Sequence, residues 1–103
     1  MAKGYAIFTE QIHDAEAMGR YAAAATPLLG AHQGRVLVAD GQGELVEGGI
    51  AGGGRGGAQI VIIEFPTVES ARAWYTSPDY QRLIPLRQRA ATSTVTIVSG
   101  FEP

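Results

Sequence analysis

Apolar residues first cluster at positions 4–8, "GYAIF", where a short aromatic and aliphatic run predicts a strand with Tyr5 and Ile7 on one side and Ala6 and Phe8 on the other. Asp14 follows as a helix N-cap, and Met18, Tyr21, Ala22, Ala25 and Leu29 recur at helical spacing behind it. Pro27 should loosen the last turn, because it lacks a backbone donor and crowds Ala23. "RVLVA" (35–39) is a second strand and "DGQG" (40–43) a turn, and "ELVEG" (44–48) can extend the hairpin arm. Residues 48–57, "GGIAGGGRGG", hold seven glycines in ten positions, a composition that supports no packed element and reads as a flexible hairpin tip.

"QIVIIEF" (59–65) is the strongest strand pattern, with Ile60 and Ile62 on one face and Val61, Ile63 and Phe65 on the other. Pro66 stops it and Thr67 caps a helix whose apolar side holds Val68, Ala71, Trp74 and Tyr75. Ser77, Pro78 and Asp79 form a second start signal, with Tyr80, Leu83, Ile84 and Ala91 as the buried stripe and Pro85 as an interruption. "STVTIVSG" (93–100) closes the chain as a strand, setting Thr94, Thr96 and Val98 opposite Val95 and Ile97. This order predicts one α+β domain over residues 1–103, a ferredoxin-like βαββαβ sandwich. Its helices can cover one face of the sheet, yet both faces are apolar. A homodimer that buries at least ~1,200 Å² is therefore expected, forming a dimeric α/β barrel.

Composition narrows the function classes. A net charge of −2 offers no basic face for nucleic acid, and the absence of cysteine removes disulfides, thiolate nucleophiles and cysteine-based zinc sites. No apolar run reaches the length of a membrane helix and the N-terminus has no signal-like core, so the expectation is a cytoplasmic protein with no membrane partner. His13 and His32 stand in no metal-ligand spacing, and no metal or cofactor is expected. The glycines at 52, 54 and 57 match a dinucleotide fingerprint only formally, since a strand follows where a helix is required. No nucleophile elbow occurs.

Several residues are candidates for chemistry. Glu64 is a carboxylate inside an apolar strand, suited to act as a general base or to pair across the hairpin with Arg35. His32, beside the second strand, is a candidate acid or base. Four of the eight aromatic residues fall in 65–83, and Trp74, Tyr75 and Tyr80 can serve as core or as the wall of a pocket. Trp74 and Tyr75 adjoin on one helix, so one belongs in the core and the other at its boundary. Arg87 can complement a helix dipole or bind a carboxylate ligand.

The stretch Glu64, Phe65, Pro66, Thr67, Ala73, Trp74, Tyr75, Ser77, Pro78, Tyr80, Arg87 and Gly100 resembles the C-terminal half of domain-of-unknown-function family 1330, and Asp14, Tyr21 and "QGRVLV" are similar to its N-terminal half. The resemblance implies the dimeric α/β-barrel fold and supplies no activity. Related folds include cofactor-independent monooxygenases, small isomerases and haem-degrading enzymes. The chain has no asparagine, which speaks against the amide-dependent sites of the monooxygenases and haem degraders. Gln33 stands where the family commonly has glycine, and the glycine-rich segment is long. The functional expectation is a small dimeric protein that binds or transforms a small organic acid or aromatic without a cofactor. The alternative is a non-catalytic dimeric module.

Overall fold

The computed structural model describes residues 2–48 and 58–102. The expected flexible tip therefore lies, apart from Gly48, outside the described residues. The elements are β1 (Gly4–Ile12), α1 (Ala15–Ala25), a 3₁₀ helix (Thr26–His32), β2 (Arg35–Asp40), β3 (Gln59–Phe65), α2 (Val68–Thr76), α3 (Pro78–Gln81), α4 (Ile84–Ala90) and β4 (Ala91–Ser99). The strands form one antiparallel sheet in the order β2-β3-β1-β4, the ferredoxin-like arrangement. Among the described residues no helix is long and apolar enough to cross a membrane.

Local chemistry accounts for most boundaries. Asp14 accepts from the Ala17 N–H, Thr67 from Ser70 and Ser77 from Tyr80, so all three caps read from the sequence are made by the expected side chains. Pro27 marks the change from α to 3₁₀ helix, because its ring cannot donate within an α-helical turn. Pro85 sits in the first turn of α4, where a missing backbone donor is tolerated, and Arg82 and Leu83 separate α3 from α4. The stretch 44–46 is irregular and takes no part in the sheet. Gln33 adopts a left-handed backbone, φ +59°, at the position where glycine is the residue of least strain.

Three strands differ from the expected pattern. β4 begins at Ala91 and ends at Ser99, so Ala91, expected on the buried stripe of a helix, opens the strand instead. β1 runs on to Ile12, four residues beyond "GYAIF", because Thr9–Ile12 continue to pair with β4. β2 carries an irregularity between Val36 and Val38, so Val36 and Ala39 pair with Ile63 and Val61 while Val38 pairs with Ile62. Faces otherwise alternate as the sequence predicts. Ala6, Phe8, Ile63 and Phe65 are buried under the helices. Tyr5, Ile7, Ile60 and Ile62 lie on the opposite face and are half-buried, while Val38 and Val98 are exposed there.

Trp74 centres the core. Its ring lies 4.3 Å from Tyr80, 5.4 Å from Phe65 and 6.2 Å from Phe8, within the range of favourable aromatic pairs. Trp74 is buried and Tyr75 sits at the boundary, the division the helical geometry requires. At Gly4 the start of β1 crosses the entry to α2 so closely that an added Cβ would meet the Thr67 carbonyl and the Val68 Cα. Backbone atoms cannot move aside as a flexible side chain can. Gly4→Ala is therefore expected to cost about 1–3 kcal/mol in denaturant unfolding, and an unchanged midpoint would show that the crossing is looser than this.

Candidate functional site

Under α1 the chain does not fill the space above the sheet. The helix presents Gly19, Ala22 and Ala25 there, which are too small to reach the strands. A cavity of about 460 Å³ results, walled by Phe8, Val61 and Ile63 of the sheet, Met18 of α1, Leu29 of the 3₁₀ helix and Trp74 of α2. Its size and largely apolar wall are those of a small-molecule pocket.

Two polar groups break that wall. Glu10, on the helix-facing side of β1, is 3% exposed and lines the cavity. Its Oε1 accepts from Gln59 Nε2 at 3.1 Å and its Oε2 from Ser93 Oγ at 2.9 Å, donors supplied by the two neighbouring strands. It forms no ion pair among the described residues. A carboxylate has about four lone-pair sites, so each oxygen keeps acceptor capacity after these bonds.

Tyr21 is the second polar group. Its hydroxyl lies 2.6 Å from that of Tyr80, which accepts from Arg87 Nη1 at 2.8 Å. Tyr80 and Arg87 are both buried, and the Arg87 guanidinium also sits 5.6 Å from the centre of the Phe8 ring. Burial first, then the neighbouring Tyr80 hydroxyl, pushes the Tyr21 hydroxyl well above the usual tyrosine range. Burial also raises Tyr80, although its bonds to Tyr21 and Arg87 act in the opposite direction. Trp74 Nε1 and Arg87 Nε are buried without a hydrogen-bond partner among the described residues.

The residues expected to carry chemistry divide into three places. Trp74 lines the cavity, and Tyr80 and Arg87 reach it through Tyr21, with Tyr75 packed 5.4 Å from Tyr80. Glu64 and Arg35 lie on the opposite face of the sheet. They pair in register, with Arg35 Nη2 2.9 Å from Glu64 Oε1, and Tyr5 donates to Glu64 Oε2 at 3.1 Å. That bond to Glu64, followed by burial, raises the Tyr5 hydroxyl. His32 borders a separate shallow depression with Gln33, Glu69 and Ser70. Among the described residues no three acidic or histidine side chains converge as metal ligands.

Glu10, Tyr21, Gln59 and Ser93 were not among the sequence candidates. Glu10 had one legible signal, the alternation Ala6, Phe8, Glu10 that places it on the apolar face once β1 is extended to Ile12.

The Arg35 side chain is 71% exposed, against 13% for Glu64. A double-mutant cycle with Arg35→Gln and Glu64→Gln is therefore expected to give a coupling of about 0.2–1 kcal/mol. Zero coupling would mean that the pair does not hold in solution.

Comparison with solved structures finds the same fold in proteins of low identity. A protein of unknown function from Rhodopseudomonas palustris, RPA0582, superposes with a TM-score of 0.77 at 17% identity, over 99% of this chain and 85% of that one. SnoaB, a cofactor-independent oxygenase from Streptomyces nogalater, superposes with a TM-score of 0.68 at 10% identity, over 100% of this chain and 97% of that one. Comparison with curated protein sequences finds no match. The family model described as Domain of unknown function (DUF1330) matches residues 3–101, and the chain belongs to that family.

Proposed function

We propose that the protein is a homodimer whose cavity under α1 binds a compact, largely aromatic small molecule without a cofactor, with Glu10 accepting a hydrogen bond or proton from it. The observation that carries this reading is a buried carboxylate facing an apolar cavity with acceptor capacity to spare. Of the two ligand classes the sequence suggests, the aromatic is favoured over the organic acid, because a second carboxylate beside Glu10 is repelled. Arg87, the cation nearest the site, is engaged by Tyr80 and does not line the cavity. SnoaB, described as a cofactor-independent oxygenase, offers a fold-level analogy for small-molecule chemistry on this scaffold, and only that.

The open face of the sheet supports the dimer. Ile7, Ile60, Ile62, Val38 and Val98 share it, and a second copy of the same face is the simplest cover. On this reading Glu64, Arg35 and Tyr5 serve assembly and not the cavity. The alternative, a non-catalytic dimeric module, rests on that face and leaves Glu10 only its cross-strand bonds to Gln59 and Ser93.

Light scattering at micromolar concentration should report about twice the chain mass of 10.8 kDa, whereas a stable monomer would defeat the assembly. Binding can be read from Trp74, whose indole N–H is a single NMR signal because the chain has one tryptophan. Titration with 2-naphthol should move that signal. Gly19 lies on the exposed rim of the cavity with nothing within 4 Å of an added Cβ. Gly19→Leu should plug the mouth and weaken binding at least about tenfold, while stability stays equal or rises by up to about 1 kcal/mol from helix propensity. Unchanged 2-naphthol affinity in the plugged variant would place the ligand elsewhere.

A further inference from the structure

The chain from Arg87 to Tyr21 has a direction. Arg87 can only donate, so Tyr80 Oη is an acceptor for it. The Tyr80 hydroxyl hydrogen then needs an acceptor of its own. Tyr80 is fully buried, and the Tyr21 oxygen 2.6 Å away is the partner within reach. The arrangement that leaves no buried hydrogen stranded runs Arg87 to Tyr80 to Tyr21. The Tyr21 hydrogen is left over, and of the two tyrosines Tyr21 is the one that borders the cavity. A donor at the end of a chain that begins on a buried cation is polarised by it. Burial holds Tyr21 in its protonated, donating form. The Trp74 ring borders the same cavity, while its Nε1 is buried away from it without a partner among the described residues. The cavity thus combines an acceptor with spare capacity, Glu10, and one donor, Tyr21, that has a hydrogen to give.

Resting on the binding site proposed above, we propose that the cavity catalyses proton transfer on a carbonyl compound: Glu10 removes a proton from the carbon beside the carbonyl, and Tyr21 donates to the carbonyl oxygen. The C–H electron pair becomes the new carbon–carbon double bond, and the carbonyl π pair moves onto oxygen. There the negative charge is held by the Tyr21 hydroxyl. Glu10 then returns its proton to the same carbon, or to the far end of a conjugated system, and its carboxylate is restored. The reaction is a tautomerisation or double-bond shift, so no oxidant, reductant or co-substrate is consumed. The substrate class is a neutral, mostly aromatic or alicyclic ketone that fits an apolar cavity. Glu10 and Tyr21 touch the substrate, and Tyr80 and Arg87 are positioning residues.

The probe is 2-tetralone in D₂O, followed by proton NMR as its C1 hydrogens exchange for deuterium. The wild-type protein should accelerate exchange above the buffer rate. Glu10→Gln should reduce it to that rate, and Tyr21→Phe should lower kcat by about 10²–10³-fold, the usual effect of losing one donor to a developing oxyanion. Tyr80→Phe should lower kcat with little change in KM. In all three variants naphthalene, which has the rings without the oxygen, should still move the Trp74 signal as in the wild type, showing a folded cavity. If naphthalene binds the wild type and 2-tetralone does not exchange, or if Tyr21→Phe exchanges as fast as the wild type, the catalytic proposal is overturned and the binding site stands. If neither naphthalene nor 2-naphthol binds, both readings fall.

Discussion

The sheet is apolar on both faces and the helices can cover only one. That constraint sets the two sides of the molecule to different tasks. On the covered side, Ala6, Phe8, Ile63 and Phe65 are sealed beneath α1, α2 and the short helices. On the other side, Ile7, Ile60 and Ile62 remain at a surface that hydrophobic burial favours covering, roughly 25 cal/mol for each Å² removed from water. The covered side is also incompletely filled, because α1 faces the sheet with alanine and glycine. A leucine at Ala22 or Ala25 would stabilise an ordinary core. Small residues there leave the cavity of about 460 Å³.

The aromatic cluster shows that core packing and lining a cavity need not be alternatives. Trp74 packs against Tyr80, Phe65 and Phe8, and the same ring forms a wall of the cavity. Tyr80 is fully buried by that packing, yet its hydroxyl links Arg87 of α4 to Tyr21 of α1. The bonds of Tyr21, Tyr80 and Arg87 Nη1 depend on one another, while Arg87 Nε is buried without a partner among the described residues. It fixes α1 relative to α4 and, with it, the height of the cavity roof.

Much of the fold was legible in the sequence because its signals are local. Asp14, Thr67 and Ser77 cap helices through their own short side chains, and strand alternation assigns each side chain a face. The pairing of Arg35 with Glu64 followed from hairpin geometry despite the irregularity in β2. The site was less legible, for a physical reason. Glu64 stands out in sequence because apolar neighbours surround it, but Glu10 is flanked by Thr9 and Gln11 and reads as the polar end of a strand. Its burial depends on β4 extending beside it as far as Ala91, and on Gln59 and Ser93 arriving from strands more than forty residues away. The cavity is equally non-local: an alanine-rich helix reads as a good helix former, and only its distance from the sheet makes the alanines a void.

On the proposed reading, the space under α1 receives a ligand whose oxygen meets Glu10 and Tyr21. A crystal structure of the protein grown with 2-naphthol, the aromatic counterpart of an enol, tests it most directly. The rings should lie between α1 and the sheet beside Trp74, with the hydroxyl oxygen about 2.5–3.2 Å from both the Glu10 carboxylate and the Tyr21 hydroxyl. Density for 2-naphthol on the open face of the sheet, or a cavity closed by movement of α1 onto the strands, would contradict it.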